Sequence, residues 1–209
     1  MVILGFYFYL RSCKYTKCTG HRRTVQFRPL MDFVFFVGDR LLPADALIEQ
    51  FQHATQIVLN LDNQKNVIRR ESVSHFGSES AVACSVRAGV NIFLCMRKHG
   101  CPGATPISDY PTAQGLRSVS ASDIITVLRA DTIRVGKSRL GFAPEDVGTY
   151  SLCCGGAMPM HLAYVPDRTL MAIGRWHFLE FMVYIQQQIS SFSLGVLVKM
   201  SRQPSFRNN

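Results

Sequence analysis

No apolar run in this 209-residue sequence is long enough to cross a bilayer. The longest, Met1 to Leu10, falls short of the ~20 residues a spanning helix needs. It also lacks the basic leader and small-residue cleavage site of a secretory signal. A regular cysteine framework is missing too. The seven cysteines, at 13, 18, 84, 95, 101, 153 and 154, are odd in number and unevenly spaced, which excludes a small disulfide scaffold and predicts reduced thiols inside a cell. There is no internal repeat or low-complexity tract, so a solenoid or a disordered chain is not expected. Acidic residues are scarce, 14 against 23 Lys and Arg, for a net charge of +9 and a pI near 9.4. That excess favours a polyanionic partner, either nucleic acid or an acidic membrane surface.

What is present suits a folded domain. Apolar residues make up 47% and charged residues 18%, enough to bury a core. The apolar start has no preceding cap and reads as the tail of a core helix whose beginning is absent. The expectation is one N-terminally truncated domain over residues 1–200, followed by a basic tail over 201–209. Residues 24–27 and 33–37 read as strands, and residues 44–53 after Pro43 as a short helix. Residues 56–61 and 72–76 alternate polar and apolar around the polar stretch 62–66, which predicts a hairpin with Lys65 near its tip. Apolar spacing predicts a helix over 81–98, and the three prolines in 100–119 predict a loop.

Ser120 followed by Asp123 is a capping-box start for a helix to about Val135. Gly136 and Gly141 predict a break before Pro144. A helix over 149–163 follows, with Thr149 as its N-cap, then a short element over 169–173 and a long amphipathic helix over 179–200. This order predicts an α+β fold, mainly helical, with a small antiparallel sheet.

Chemistry-bearing residues recur in a fixed order. Leu10-Arg11-Ser12-Cys13 closes the first apolar segment. Gln64-Lys65-Asn66 sits on the strand-connecting turn, and Ser85-Val86-Arg87-Ala88 opens the helix after the sheet. Tyr150-Ser-Leu-Cys153 precedes Ile173-Gly-Arg-Trp176 and then Tyr184. This series resembles the tyrosine recombinase (phage-integrase type) catalytic domain, in the divergent form carried by mobile elements of microbial eukaryotes. In that family a His-x-x-Arg motif is followed about 23 residues on by His or Trp, and about 8 or 9 later by the nucleophilic tyrosine; here Cys153 to Trp176 spans 23 positions and Trp176 to Tyr184 spans 8.

The resemblance implies a recombinase catalytic-domain fold with Tyr184 as nucleophile, Arg11 as phosphate clamp, Lys65 as general acid and Trp176 as a donor to the phosphate. It further implies double-stranded DNA as partner, a homo-oligomer assembled on that DNA, a nuclear location in a eukaryotic cell, and no metal or cofactor. Arginine suits the clamp because its planar fork matches phosphate oxygens. A tyrosine hydroxyl, with a free pKa of about 10, must lose its proton to attack, and a lysine ammonium can protonate the leaving oxygen.

The pattern departs from the family where it matters most. Tyr150 stands at the histidine position and Cys153 at the second arginine, so a fixed positive charge is gone; losing one oxyanion donor costs about 10²–10³ in rate. Lys14 also stands where relatives carry an acidic residue. Impaired activity is therefore expected. Arg22, Arg23, Arg28, Arg69 and Arg70 around the sheet, with Arg175, suit backbone contacts to DNA. Two other readings are a non-catalytic DNA-binding remnant and a basic protein at a membrane surface. Cys95, His99 and Cys101 fall one ligand short of a structural zinc site.

Overall fold

The computed structural model describes residues 1–10, 14, 16, 28–61, 71–80, 82–176 and 182. The strand expected over 24–27, the hairpin tip with Lys65 and the helix expected over 179–200 lie outside these residues. So do Arg11, Arg22, Arg23, Arg69, Arg70 and Tyr184. The described chain is α+β, with more residues in helices than in strands and a small antiparallel sheet.

Four strands build that sheet: β1 (Phe33–Val37), β2 (Arg40–Leu42), β3 (Gln56–Leu61) and β4 (Glu71–Phe76), in the order β2-β1-β3-β4 with every neighbour antiparallel. β2 was not expected from the sequence. It exists because Gly38, at φ 56°, takes a left-handed turn with Asp39 and returns the chain along β1. Register then decides the faces. Phe35 pairs with Ile57, which pairs with His75; Phe33 pairs with Leu59, which pairs with Val73. Side chains alternate across a strand, so these six residues share one face. Ile57 and Leu59 on it are wholly buried, while Ser72 and Ser74 on the other face are exposed.

Helices cover the apolar face. α1 (Val2–Tyr7) delivers Phe8, whose ring meets Phe33 edge-on at 6.3 Å. A short α2 (Ile48–Gln52) starts where the Gln50 side chain accepts from the Leu47 N–H. It is briefer than the expected 44–53, because Ala46 N–H turns back onto the Pro43 carbonyl. α3 (Ser85–Lys98) begins later than the expected residue 81, and Ala81 itself lies outside the described residues. α3 lies close to the sheet through Gly89. A methyl there would stand 2.3 Å from Ile57 Cδ1 and 3.2 Å from Phe35 Cε1.

The stretch 100–119, expected as a loop, contains a hairpin of β5 (Asp109–Thr112) and β6 (Gly115–Ser118). Pro111 is tolerated because both strands of a two-stranded ribbon are edges, where a missing N–H goes unnoticed. The Ser118 and Ser108 hydroxyls donate to Asp109 Oδ1 at 2.7 and 3.3 Å. α4 (Ala121–Val135) starts on the expected capping box: Asp123 N–H donates to Ser120 Oγ, and Ser120 N–H to Asp123 Oδ2. The break expected between Gly136 and Gly141 is filled by one helical turn, α5 (Lys137–Leu140).

α6 (Tyr150–Leu162) matches its expected extent, but the Thr149 side chain does not cap it. Thr149 has helical dihedrals, and it is Ser151 Oγ that accepts the Gly148 N–H at 3.0 Å. α7 (Asp167–Gly174) begins after Pro166 and is longer than the expected 169–173. A second, methionine-rich core joins Tyr9, Ala157 and Leu170 with Met158, Met160 and Trp176.

Candidate functional site

The end of α1 is the meeting point. Its last turn unwinds into Phe8, Tyr9 and Leu10, all buried, and this segment runs directly into Arg11 in the sequence. Three residues from the far end of the chain close on it. Cys153 Sγ donates to the Leu10 carbonyl at 3.6 Å, Arg175 Nη2 donates to the Phe8 carbonyl at 2.8 Å and the Tyr9 carbonyl at 3.4 Å, and the Trp176 ring lies edge-on to the Tyr9 ring at 5.4 Å. Cys153, Arg175 and Trp176, singled out in the sequence, are thus gathered at one place. Tyr150 is not among them. It is 65% exposed at the start of α6, and its hydroxyl makes no hydrogen bond among the described residues.

Local structure explains why these residues reach one another. Gly156 lets α6 approach α1: a methyl there would fall 2.7 Å from the Phe6 carbonyl oxygen and 2.8 Å from Tyr9 Cε1. The Tyr9 hydroxyl then donates to the Gly156 carbonyl at 3.0 Å. Arg175 ends α7 in the left-handed conformation, φ 55°, and Trp176 N–H closes onto the Met171 carbonyl at 2.9 Å. The indole folds back over the bare α-carbon of Gly174, where a methyl would lie 2.3 Å from the ring. The Gly-Arg-Trp triplet therefore has a local reason: glycine admits the ring, arginine turns the chain and clasps α1, and tryptophan fills the second core.

The electrostatics of the site are those of a dry interior. Burial, with Cys153 nearby, pushes the Tyr9 phenol up to about 12. Burial and the adjacent Cys153 push the Cys154 thiol up to about 11, so it stays protonated and a poor nucleophile. His75 sits against the same segment, its ring edge-on to Phe8 at 4.6 Å and to Tyr7 at 6.0 Å. Burial holds its pKa below the ordinary histidine value; the Tyr7 backbone pulls it up, and Arg175 pushes it down.

Cys153 is 8% exposed, with its thiol turned to the Leu10 carbonyl. Arg175, expected from the sequence to touch DNA, directs its Nη2 to two backbone carbonyls. Tyr9, His75 and Gly156 went unnoticed in the sequence. The parity of His75 with Val73 on the apolar face of β4 was the available signal for one of them.

Among the described residues no three metal-ligating side chains converge, and His99 Nδ1 lies 2.8 Å from the Cys95 carbonyl. A cavity of about 290 Å³ between α3 and the β5–β6 hairpin is lined by Ile92, Met96, Ile107 and Tyr110, and by none of the motif residues. Comparison with known proteins finds no family model, no curated protein and no solved structure that matches the chain.

Proposed function

We propose that this chain is a tyrosine recombinase-like domain that binds double-stranded DNA and cleaves it poorly or not at all. The ordered series from Arg11 to Tyr184 is the sequence basis of the reading. One observation supports it further: the segment entering Arg11 is in contact with the second-arginine position, Cys153, and with Trp176, which lie 143 and 167 positions beyond their partners Leu10 and Tyr9. A phosphate site built from the first and second arginines and the tryptophan needs this juxtaposition of segments.

The same contacts favour impaired chemistry. The second-arginine position carries a buried thiol, which cannot offset charge on a pentacoordinate phosphorus. Arg175, which meets the same segment, already donates to the Phe8 and Tyr9 carbonyls. In the ancestral reaction Tyr184 would attack, Arg11 would hold the phosphate, Lys65 would protonate the leaving oxygen and Trp176 would add a donor. A 3′-phosphotyrosyl link formed this way keeps the bond energy for rejoining. On this reading the protein works in the nucleus if its cell is eukaryotic, and the recombinase resemblance implies a homo-oligomer on the DNA. The membrane reading loses its main support, because Leu4, Phe8 and Leu10 of the apolar start lie in the core.

The test combines a labelled nicked duplex with the full chain. Retention on a filter should fall by about 10³ in affinity between roughly 50 and 200 mM salt if about six phosphates are neutralised. Denaturing gels should show no adduct that Tyr184→Phe removes. Absence of salt-sensitive retention would sink the DNA reading. A strong Tyr184-dependent adduct would instead sink the claim of impaired cleavage.

A further inference from the structure

We propose that the seam between α1 and the end of α7 is a proton-operated latch, closed while His75 is neutral and released when its ring takes up a proton. This inference stands on the fold and does not depend on the DNA reading.

The geometry has three parts. The first is the clasp itself: Arg175 Nη2 on the Phe8 and Tyr9 carbonyls, with Trp176 against the Tyr9 ring. The second is its backbone. Tyr9 at φ 48° and Arg175 at φ 55° are both left-handed non-glycine residues, and they meet each other in the clasp. That conformation is disfavoured for residues with a Cβ and persists only where surrounding contacts hold it.

The third part is His75. Its ring is wedged against Tyr7 and Phe8, and its Nε2 is buried with no hydrogen-bond partner among the described residues. From α1, the groups facing it are the Tyr7 backbone, whose hydrogen bond favours the protonated ring but is outweighed by burial, the Tyr7 phenol, which donates to the Ala83 carbonyl, and the Phe8 ring. From the end of α7, the facing group is the Arg175 guanidinium. Its cross-strand neighbour on β3 is Ile57, without charge.

A neutral imidazole fits this place as an aromatic wedge. A protonated one brings a second N–H that needs an acceptor where the described structure offers none, and a cation beside Arg175. Separating α1 from α7 relieves both, and it also frees the two left-handed residues. The direction of the pH effect follows from burial, which lowers the folded-state pKa of His75. The closed form then binds fewer protons than the open form. Closure is complete above about pH 6.5, the ordinary histidine value, and is lost as pH falls from there towards the lowered pKa.

Trp176 is the sole tryptophan in the chain and lies in the clasp, so its emission reads the latch directly. The full chain is titrated from about pH 8 to about pH 5, spanning histidine protonation, with far-UV circular dichroism followed in parallel. The expected result is a red shift with a midpoint below about 6.5 and unchanged helix content. His177 follows Trp176 in the sequence and could quench it, so His177→Gln is the control and should keep the transition. His75→Gln should abolish it.

Hydrogen exchange of the wild-type chain, corrected for intrinsic rates, should speed up at least about tenfold at residues 7–10 and 150–176 on the acid side, about 1.4 kcal/mol of lost protection. This measurement decides the matter if His75→Gln fails to fold. The latch is overturned if His75→Gln keeps the midpoint, if His177→Gln removes it, or if those two segments show no acid-side gain in exchange.

Discussion

Single residues set how closely α1 approaches α6 and the end of α7. Gly156 is the clearest case, since the nearest obstacle to a side chain there is the Phe6 carbonyl oxygen, a backbone atom on α1 that cannot rotate away. Gly156→Ala adds helix propensity worth up to about 1 kcal/mol. It also forces α1 off α6, an overpacking cost of about 1–3 kcal/mol. The clash wins. The expected outcome is a net loss of about 1–2 kcal/mol in urea unfolding, with a changed Trp176 emission in the folded baseline. A variant as stable as the parent would mean that α1 packs less tightly on α6 than these distances imply. Tyr9 shows the complementary effect of a polar group in the same place: its hydroxyl stays protonated because burial raises its pKa, so it serves as a donor to α6 and not as a base.

At the level of elements, α3 and the sheet repeat that logic. Gly89 faces Ile57 and Phe35, and Ile57 is wholly buried, so its terminal methyl has no open space to move into. Gly89→Ala should destabilise by about 1–2 kcal/mol despite its better helix propensity, read as a lower urea midpoint with an unchanged slope. Elements defined by their own periodicity were legible in the sequence. β3 alternates over six residues, α3 repeats its apolar positions, and α4 announces itself with Ser120 and Asp123.

Elements defined by their neighbours were not legible. β2 is three residues long and owes its existence to the Gly38 turn, while the β5–β6 hairpin hides behind Pro111. The site divides in the same way. Cys153 and Trp176 follow from the spacing of the series, whereas Tyr9, His75 and Gly156 matter only because residues far apart in sequence come together.

For the whole molecule, the excess of basic over acidic residues and the two-ended architecture carry the predictions. A net charge of +9 should hold the chain on a polyanionic matrix such as heparin at low salt and release it as salt rises, with the Tyr184→Phe variant eluting at the same point. Different elution of the two would mean that the phenol takes part in binding as well as in chemistry. The α+β arrangement itself places the apolar start of the chain under the sheet and against α6, so the first residues are structural partners of residues near 156 and 175.

That arrangement imposes an order on biogenesis. At translation rates of about 5–20 residues per second, roughly 10–30 s separate the emergence of residue 10 from that of residue 176. Throughout that interval Phe8 can meet Phe33 and His75, but Tyr9 has no Arg175 or Trp176 to pack on, and the segment stays incompletely covered and open to a holdase. A ribosome stalled before residue 176 should therefore display an N-terminal segment that protease cuts readily, and release of the finished chain should protect it.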